Sequence, residues 1–132
     1  MYGFNGLMKH PLHQTIELIA GTMPLILIGM PYEIGVLLAF SVAIQLLLQH
    51  SNVDMRLGYA LYIWAVAPGH RHHHIASSNS GDVNFGLFTM VWDHLLGTFV
   101  LNRPEPRDGE IGIHGRLDFP KDYKDQVMEP FK

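Results

Sequence analysis

Residues 18–48 read LIAGTMPLILIGMPYEIGVLLAFSVAIQLLL, thirty-one positions with one ionisable side chain, Glu33. Apolar residues occupy every side of this stretch and leave no polar stripe of the kind a surface helix shows. Such a segment is buried all round or surrounded by lipid. One straight helix is improbable on physical grounds, because Pro31 has no N–H to donate and disfavours helix in the residue before it. Pro31, Tyr32 and Glu33 therefore read as a turn between two apolar arms, a helical hairpin over about residues 14–49. Each strictly apolar arm is shorter than the ~20 residues that cross a hydrocarbon core of ~30 Å, and approaches that length only with flanking residues such as Gln14 and Gln49. A pair of buried helices in a soluble bundle is the competing reading.

Beyond the hairpin, LGYALYIWAVA (57–67) is apolar and aromatic, and Pro68 stands where a new helix can open at its first turn. SSNSGDVN (77–84) has the composition of a loop. Leu87, Phe88, Val91, Trp92, Leu95 and Leu96 recur at the one-face spacing of an amphipathic helix, with Gly97 as its stop. Residues 102–119, rich in Pro, Gly and charge, read as irregular, and Pro120–Met128 as a short final helix. The expected fold class is all-α: a membrane-embedded helical hairpin, His-bearing helices at its cytosolic face, and an irregular polar C-terminal tail. The expected domain is 1–101 and the tail 102–132.

Charge follows the same division. Residues 1–101 hold only Lys9, Arg56, Arg71, Glu17, Glu33, Asp54, Asp82 and Asp93, whereas thirteen charged residues crowd into 102–132. A net charge of −3 gives no basic excess to neutralise a phosphate backbone, which argues against nucleic acid as a partner. Cysteine is absent, removing disulfides, thiolate zinc fingers and cysteine nucleophiles together. Met1–Met8 lacks the charged start, apolar core and small-residue cleavage site of a secretory signal. If the hairpin turn lies at one membrane face, both open ends return to the other. Lys9, Arg56 and Arg71 on that side make it cytoplasmic by the positive-inside rule.

Nine histidines stand out against this charge-poor background. His70, His73 and His74 form the pattern H-x-x-H-H, and on an α-helix positions i, i+3 and i+4 share one face, close enough for three imidazoles to meet one metal or two adjacent ones. His50 and Asp54 make an i, i+4 pair that can approach them, with Asp54 read as orienting a ligand imidazole. His50 can alternatively cap its helix, and His10 stands open between ligand and structural residue. His13, His72, His94 and His114 read as solvated or supporting rather than ligating. Imidazole suits iron, zinc, copper or nickel. On spacing alone, Trp92 and Asp93 are core and helix-face residues.

His10-Pro11-Leu12, Gln49-His50-Ser51-Asn52, His70 to His74, Asn84-Phe85-Gly86, Trp92 to Phe99 and Ile111-Gly112-Ile113, taken in order, resemble motifs of the fatty acid hydroxylase superfamily, and in particular its sterol desaturase branch. The resemblance implies a membrane di-iron oxidoreductase that uses O2 and an external electron donor to hydroxylate or desaturate a lipid alkyl C–H. It implies His50, His70, His73 and His74 as metal ligands, and Asn52, Asn84, Trp92 and Asp93 as residues supporting the site or its wall. Where the family usually carries an acid soon after its HPL element, this chain has His13. The family's earlier boxes, H-x-x-x-H and H-x-x-H-H, have no counterpart in these 132 residues. The expectation is accordingly a C-terminal portion or truncated form of such an enzyme, completed by an upstream segment or partner chain and inactive by itself. The alternatives are a truncated, noncatalytic membrane protein and a small His-rich protein that stores or passes zinc or nickel; zinc is also a possible substitute in the iron site.

Overall fold

Pro31 does divide the apolar stretch, but the chain reverses just ahead of it. The computed structural model describes residues 6–77, 80–102, 104, 106–107, 110–112, 115 and 119–132. Helix α1 (Pro11–Glu17), a π-helical turn (Leu18–Thr22) and α2 (Met23–Leu27) follow one another without a break. The π turn stands immediately before Pro24, whose ring and missing N–H disrupt a regular α-helix. Widening that turn, where the Met23 N–H reaches back to the Leu18 carbonyl, carries the helix past the proline. The reversal occupies Ile28–Pro31, with Gly29 at φ +91°, a conformation that favours glycine. Pro31 is the N-cap of α3 (Tyr32–Gln49), so Tyr32 and Glu33 fill its first turn instead of forming the bend, and the Glu33 carboxylate complements the helix dipole.

The eighteen residues of α3 give it a length of about 27 Å, and by length and composition it is apolar enough to cross a membrane. Its buried residues, Gln45, Leu46 and Gln49, all lie at its C-terminal end. Ile19, Leu27, Leu37 and Phe40 on the two arms are each more than half exposed. A contiguous apolar surface of this kind marks a place where lipid or protein packs.

The small core forms where the end of α3 meets the following segments, around Leu46, Ala65, Val66, Ala67, Val83 and Met90. A 3-10 turn (Gly58–Tyr62) leads into it, and an isolated bridge pairs Trp64 with Thr89. Pro68 sits in the first turn of α4 (Ala67–His70), and the chain continues as a 3-10 turn over Arg71–His74. Helix α5 (Val91–Leu96) ends at Gly97 in the left-handed conformation. Helix α6 (Tyr123–Met128) is tied to the start of α1 by the His10 ring, whose Nε2 lies 3.0 Å from the Val127 carbonyl. Among the described residues the regular elements are all helical, as expected of the fold class.

The apolar spacing from Leu87 to Leu96 predicts a longer helix that faces inward. Instead, Leu87 and Phe88 precede α5 in irregular backbone, and Trp92 is 67% exposed while Asp93 is 1% exposed. Spacing had put Trp92 in the core. The sense of the helix is reversed because the Asp93 carboxylate is drawn inward by N–H donors, leaving the apolar residues on the outer surface.

Candidate metal centre

His50 joins the site from the end of α3. The helix closes at Gln49, His50 is its C-cap, and its Nδ1–H donates to the Leu46 carbonyl at 2.9 Å. That bond fixes the tautomer and leaves the Nε2 lone pair directed outward. His70 closes α4 and His74 closes the 3-10 turn. Nε2 of His74 lies 3.2 Å from Nε2 of His50 and 3.1 Å from Nε2 of His70.

Each of these two separations fits a pair of nitrogens on one cation. With metal–nitrogen bonds of about 2.1 Å, neighbouring ligand nitrogens stand about 3.0 Å apart at right angles and about 3.4 Å apart in a tetrahedron. Protons alone satisfy the cluster poorly, since one N–H on His74 Nε2 can point at only one of its two neighbours. His70 Nδ1 is buried with no hydrogen-bond partner among the described residues, so this ring has no acceptor there to hold its proton. His50, His70 and His74 thus offer three ligand atoms within 4.8 Å of one another. Burial and the neighbouring rings push His70 down to about 3 and His74 down to about 4. Burial also lowers His50; the Leu46 carbonyl opposes this and the Lys9 ammonium adds to it. The rings are held neutral, the form that ligates.

His73 stands beside this triad. Its ring centroid is 5.4 Å from His70 and 5.3 Å from His74, but its Nδ1–H donates to the Val83 carbonyl at 3.0 Å. The expectation that His70, His73 and His74 share one face assumes a continuous α-helix. The tighter turn over 71–74 changes that register. All four rings of His50, His70, His73 and His74 nevertheless line one cavity of about 390 Å³, with Gly6, Met8, Leu46, Gln49, Phe85 and Leu87 among its other walls. Lys9, His13 and Glu17 complete its polar side, with Lys9 Nζ 2.7 Å and His13 Nε2 3.0 Å from the Glu17 carboxylate.

A second layer holds these rings in place. Asp93 accepts from the Phe85 N–H at 2.8 Å, the Gly86 N–H at 2.9 Å and the Thr98 hydroxyl at 2.7 Å. Phe85 packs edgewise on His73 with ring centroids 5.2 Å apart. Asn84, wholly buried, donates to the Gly69 and Val100 carbonyls and accepts from the Val100 N–H, tying the residue before His70 to the strand of chain beyond α5. The Gly112 N–H donates to the His74 carbonyl at 3.0 Å, so the segment 110–112 braces the third ligand candidate from behind.

Several expected site residues lie elsewhere. His10 caps α1, accepting from the Leu12 N–H on Nδ1 and reaching the Val127 carbonyl with Nε2, so both nitrogens are engaged away from the triad. Asp54 does not face the imidazoles: α3 ends before His50, the i, i+4 register fails, and Asp54 is exposed beside Arg56 at 3.1 Å. Asn52 is exposed in the same irregular segment. Trp92 points outward, away from any role in the cavity wall. Among the histidines read as non-ligating, His72 is 2% exposed rather than solvated, and His94 stacks on Phe99 at 4.0 Å. His114 and Ile113 lie outside the described residues.

Sequence reasoning missed Gln45 and Gln49. Gln45 donates to the Ala65 and Leu87 carbonyls and accepts from the Trp64 indole, while Gln49 donates to the Gly86 and Leu87 carbonyls at 2.9 Å. Two glutamines at i, i+4 in an otherwise apolar helix were the available signal, since a buried amide needs partners.

The family model described as fatty acid hydroxylase matches residues 1–98. The ornithine lipid hydroxylase OlsE of Rhizobium tropici is 35% identical over 122 residues, which cover 92% of this chain and 36% of that protein. The chain thus spans little more than a third of the length of this curated relative. No solved structure matches at a significant level.

Proposed function

This chain belongs to the fatty acid hydroxylase family, and from that membership we propose that it contributes His50, His70 and His74, with His73 beside them, to the iron centre of an O2-dependent lipid hydroxylase. The observation that carries the reading is the approach of three Nε2 atoms, with His74 at 3.2 and 3.1 Å from its two neighbours. Bound iron, two ions in the complete centre and reduced by an external electron donor, supplies the oxidation of an unactivated C–H bond by dioxygen.

The residues here hold and shield. Leu46 keeps the His50 proton on Nδ1, and Val83 does the same for His73, so that Nε2 of each ring is available to a metal. Met8, Leu46, Phe85 and Leu87 give the cavity an apolar side suited to an alkyl group. The hairpin lies in the bilayer with its open end, and the histidines, at the cytoplasmic face. A membrane lipid is the substrate, as the name of the Rhizobium relative suggests for that protein. The remaining histidine ligands come from an upstream segment or a partner chain.

Metal and lipid analysis of the gene product tests this directly. Iron bound to the purified protein, together with a hydroxylated lipid in cells expressing it and none in cells expressing His74→Ala, supports the proposal. Stoichiometric zinc with no iron and no oxygen consumption, or identical lipid profiles in the two cell lines, contradicts it.

A further inference from the structure

The apolar outer side of α5 belongs to a larger unit. Segments 59–65 and 88–94 are laced together: the Met90 N–H donates to the Ile63 carbonyl at 2.8 Å, the Ala65 N–H donates to the Phe88 carbonyl at 3.0 Å, and His94 Nε2 lies 2.7 Å from the Tyr62 carbonyl. On this unit Tyr59, Ile63, Trp92, Leu95 and Leu96 are each more than three-fifths exposed. Residues 57–69 contain no Asp, Glu, Lys or Arg, and the one such residue in 83–102, Asp93, is buried. An uncharged apolar face of this kind is a surface with an occupant.

We propose that the face bearing Tyr59, Ile63, Trp92, Leu95 and Leu96 is a seat on the lipid surface, lying in the bilayer interface beside the histidine end of α3. This seat presupposes the hairpin in the bilayer, as proposed above, and adds a second contact with lipid. Residue type selects lipid over a protein partner. Both tryptophans of the chain, Trp64 and Trp92, stand on the unit with Tyr59 and Tyr62. Trp and Tyr collect at membrane–water interfaces, where the ring body meets the acyl region and the N–H or O–H meets the polar layer. Depth agrees. The Trp64 indole donates to Gln45 Oε1 at 2.9 Å, four residues and so about 6 Å along the axis from the last residue of α3. Interfacial segments bury their apolar face about 5–10 Å into the boundary of head groups and acyl chains. Ile44, the neighbour of Gln45 on the candidate span, is itself exposed. The seat also fixes the metal cavity, because Leu87 lines that cavity, its carbonyl accepts from Gln45 and Gln49, and Phe88 follows it directly into the unit.

These 132 residues hold no cysteine, so a thiol-reactive, environment-sensitive fluorophore can be placed at single exposed positions of the gene product by Leu95→Cys, Tyr59→Cys, Phe40→Cys or Asn52→Cys, any other cysteine being replaced by serine. Each labelled protein is put into phosphatidylcholine nanodiscs, which leave both faces open to water. Its emission is then challenged with iodide and with lipids carrying a nitroxide near the head group or near the chain end. Labels at 95 and 59 are expected to lose most of their emission to the shallow nitroxide and little to iodide. The label at 40, midway along α3, loses it to the deep nitroxide, and the label at 52 loses it to iodide. Iodide quenching at 95 and 59 equal to that at 52 shows a face in water, and quenching by neither agent shows a face covered by protein; either result overturns the seat while position 40 still reports lipid. Iodide quenching at position 40 contradicts the bilayer placement of the hairpin instead, so the two failures are distinct.

Discussion

The Nε2 atoms of His50 and His74 lie 3.2 Å apart although twenty-four positions separate the residues, because the end of α3 packs against the turn that carries the H-x-x-H-H pattern. His74 is the hub of the triad, since its Nε2 is also 3.1 Å from His70. Replacing any of His50, His70 or His74 by Ala is expected to lower metal affinity by about 100-fold or more, while His10→Ala leaves it unchanged. Equilibrium dialysis against a metal buffer checks this, and a loss in His10→Ala equal to that in His74→Ala would count against the assignment.

Acid should weaken the metal-free site. The folded values of His70 and His74, about 3 and about 4, lie below the ordinary 6.5, so the unfolded chain binds more protons between those limits. The stability these neutral rings contribute is complete above pH 6.5 and is lost as pH falls from there through about 4 for His74 and about 3 for His70. Melting temperatures of the metal-free protein at pH 7.5, 6 and 5 should decline in that order, and the decline should shrink in the His70→Asn variant. A melting temperature that does not change with pH contradicts the burial of neutral rings.

Asp93 holds two backbone N–H groups and the Thr98 hydroxyl. Asp93→Ala strands all three donors, and a loss of about 3 kcal/mol in unfolding free energy is expected from denaturant titration in detergent. Trp92→Ala, at an exposed neighbour, should cost the detergent-solubilised protein under about 1 kcal/mol. Equal losses in the two variants would contradict the inward Asp93 and outward Trp92.

Gly6 lies against the first ligand candidate. A Cβ on it would sit 2.5 Å from His50 Nδ1 and 2.8 Å from the Leu46 carbonyl oxygen, disturbing the hydrogen bond that orients the ring. Gly6→Ala is therefore expected to reduce metal affinity by about tenfold with no ligand removed. Titration of the variant with iron(II) measures it, and wild-type affinity contradicts the contact.

Much of this was legible in the residues themselves. Pro31 announced the hairpin, Pro68 the start of α4 and Gly97 the end of α5, because each acts through its own backbone. His70 and His74 could be paired from their spacing, and that convergence survives the change from α-helix to 3-10 turn. What could not be read depended on helix limits and on the medium outside. The i, i+4 pairing of Asp54 with His50 required a helix that continues past Gln49, and α3 ends there. The inward Asp93 and outward Trp92 invert the usual amphipathic rule, which assumes that the outer face is polar. His10 carried the same side chain as the ligand candidates, and only its contacts with Leu12 and Val127 reveal a capping role.

The most direct test of the three-imidazole centre is X-ray absorption at the iron edge of the iron-loaded gene product, wild type against His74→Ala. A nitrogen shell near about 2.1 Å with imidazole scattering in the wild type, reduced or absent with the iron itself in His74→Ala, is the predicted result. Iron bound equally in both proteins, with the same number of imidazole scatterers, would contradict it.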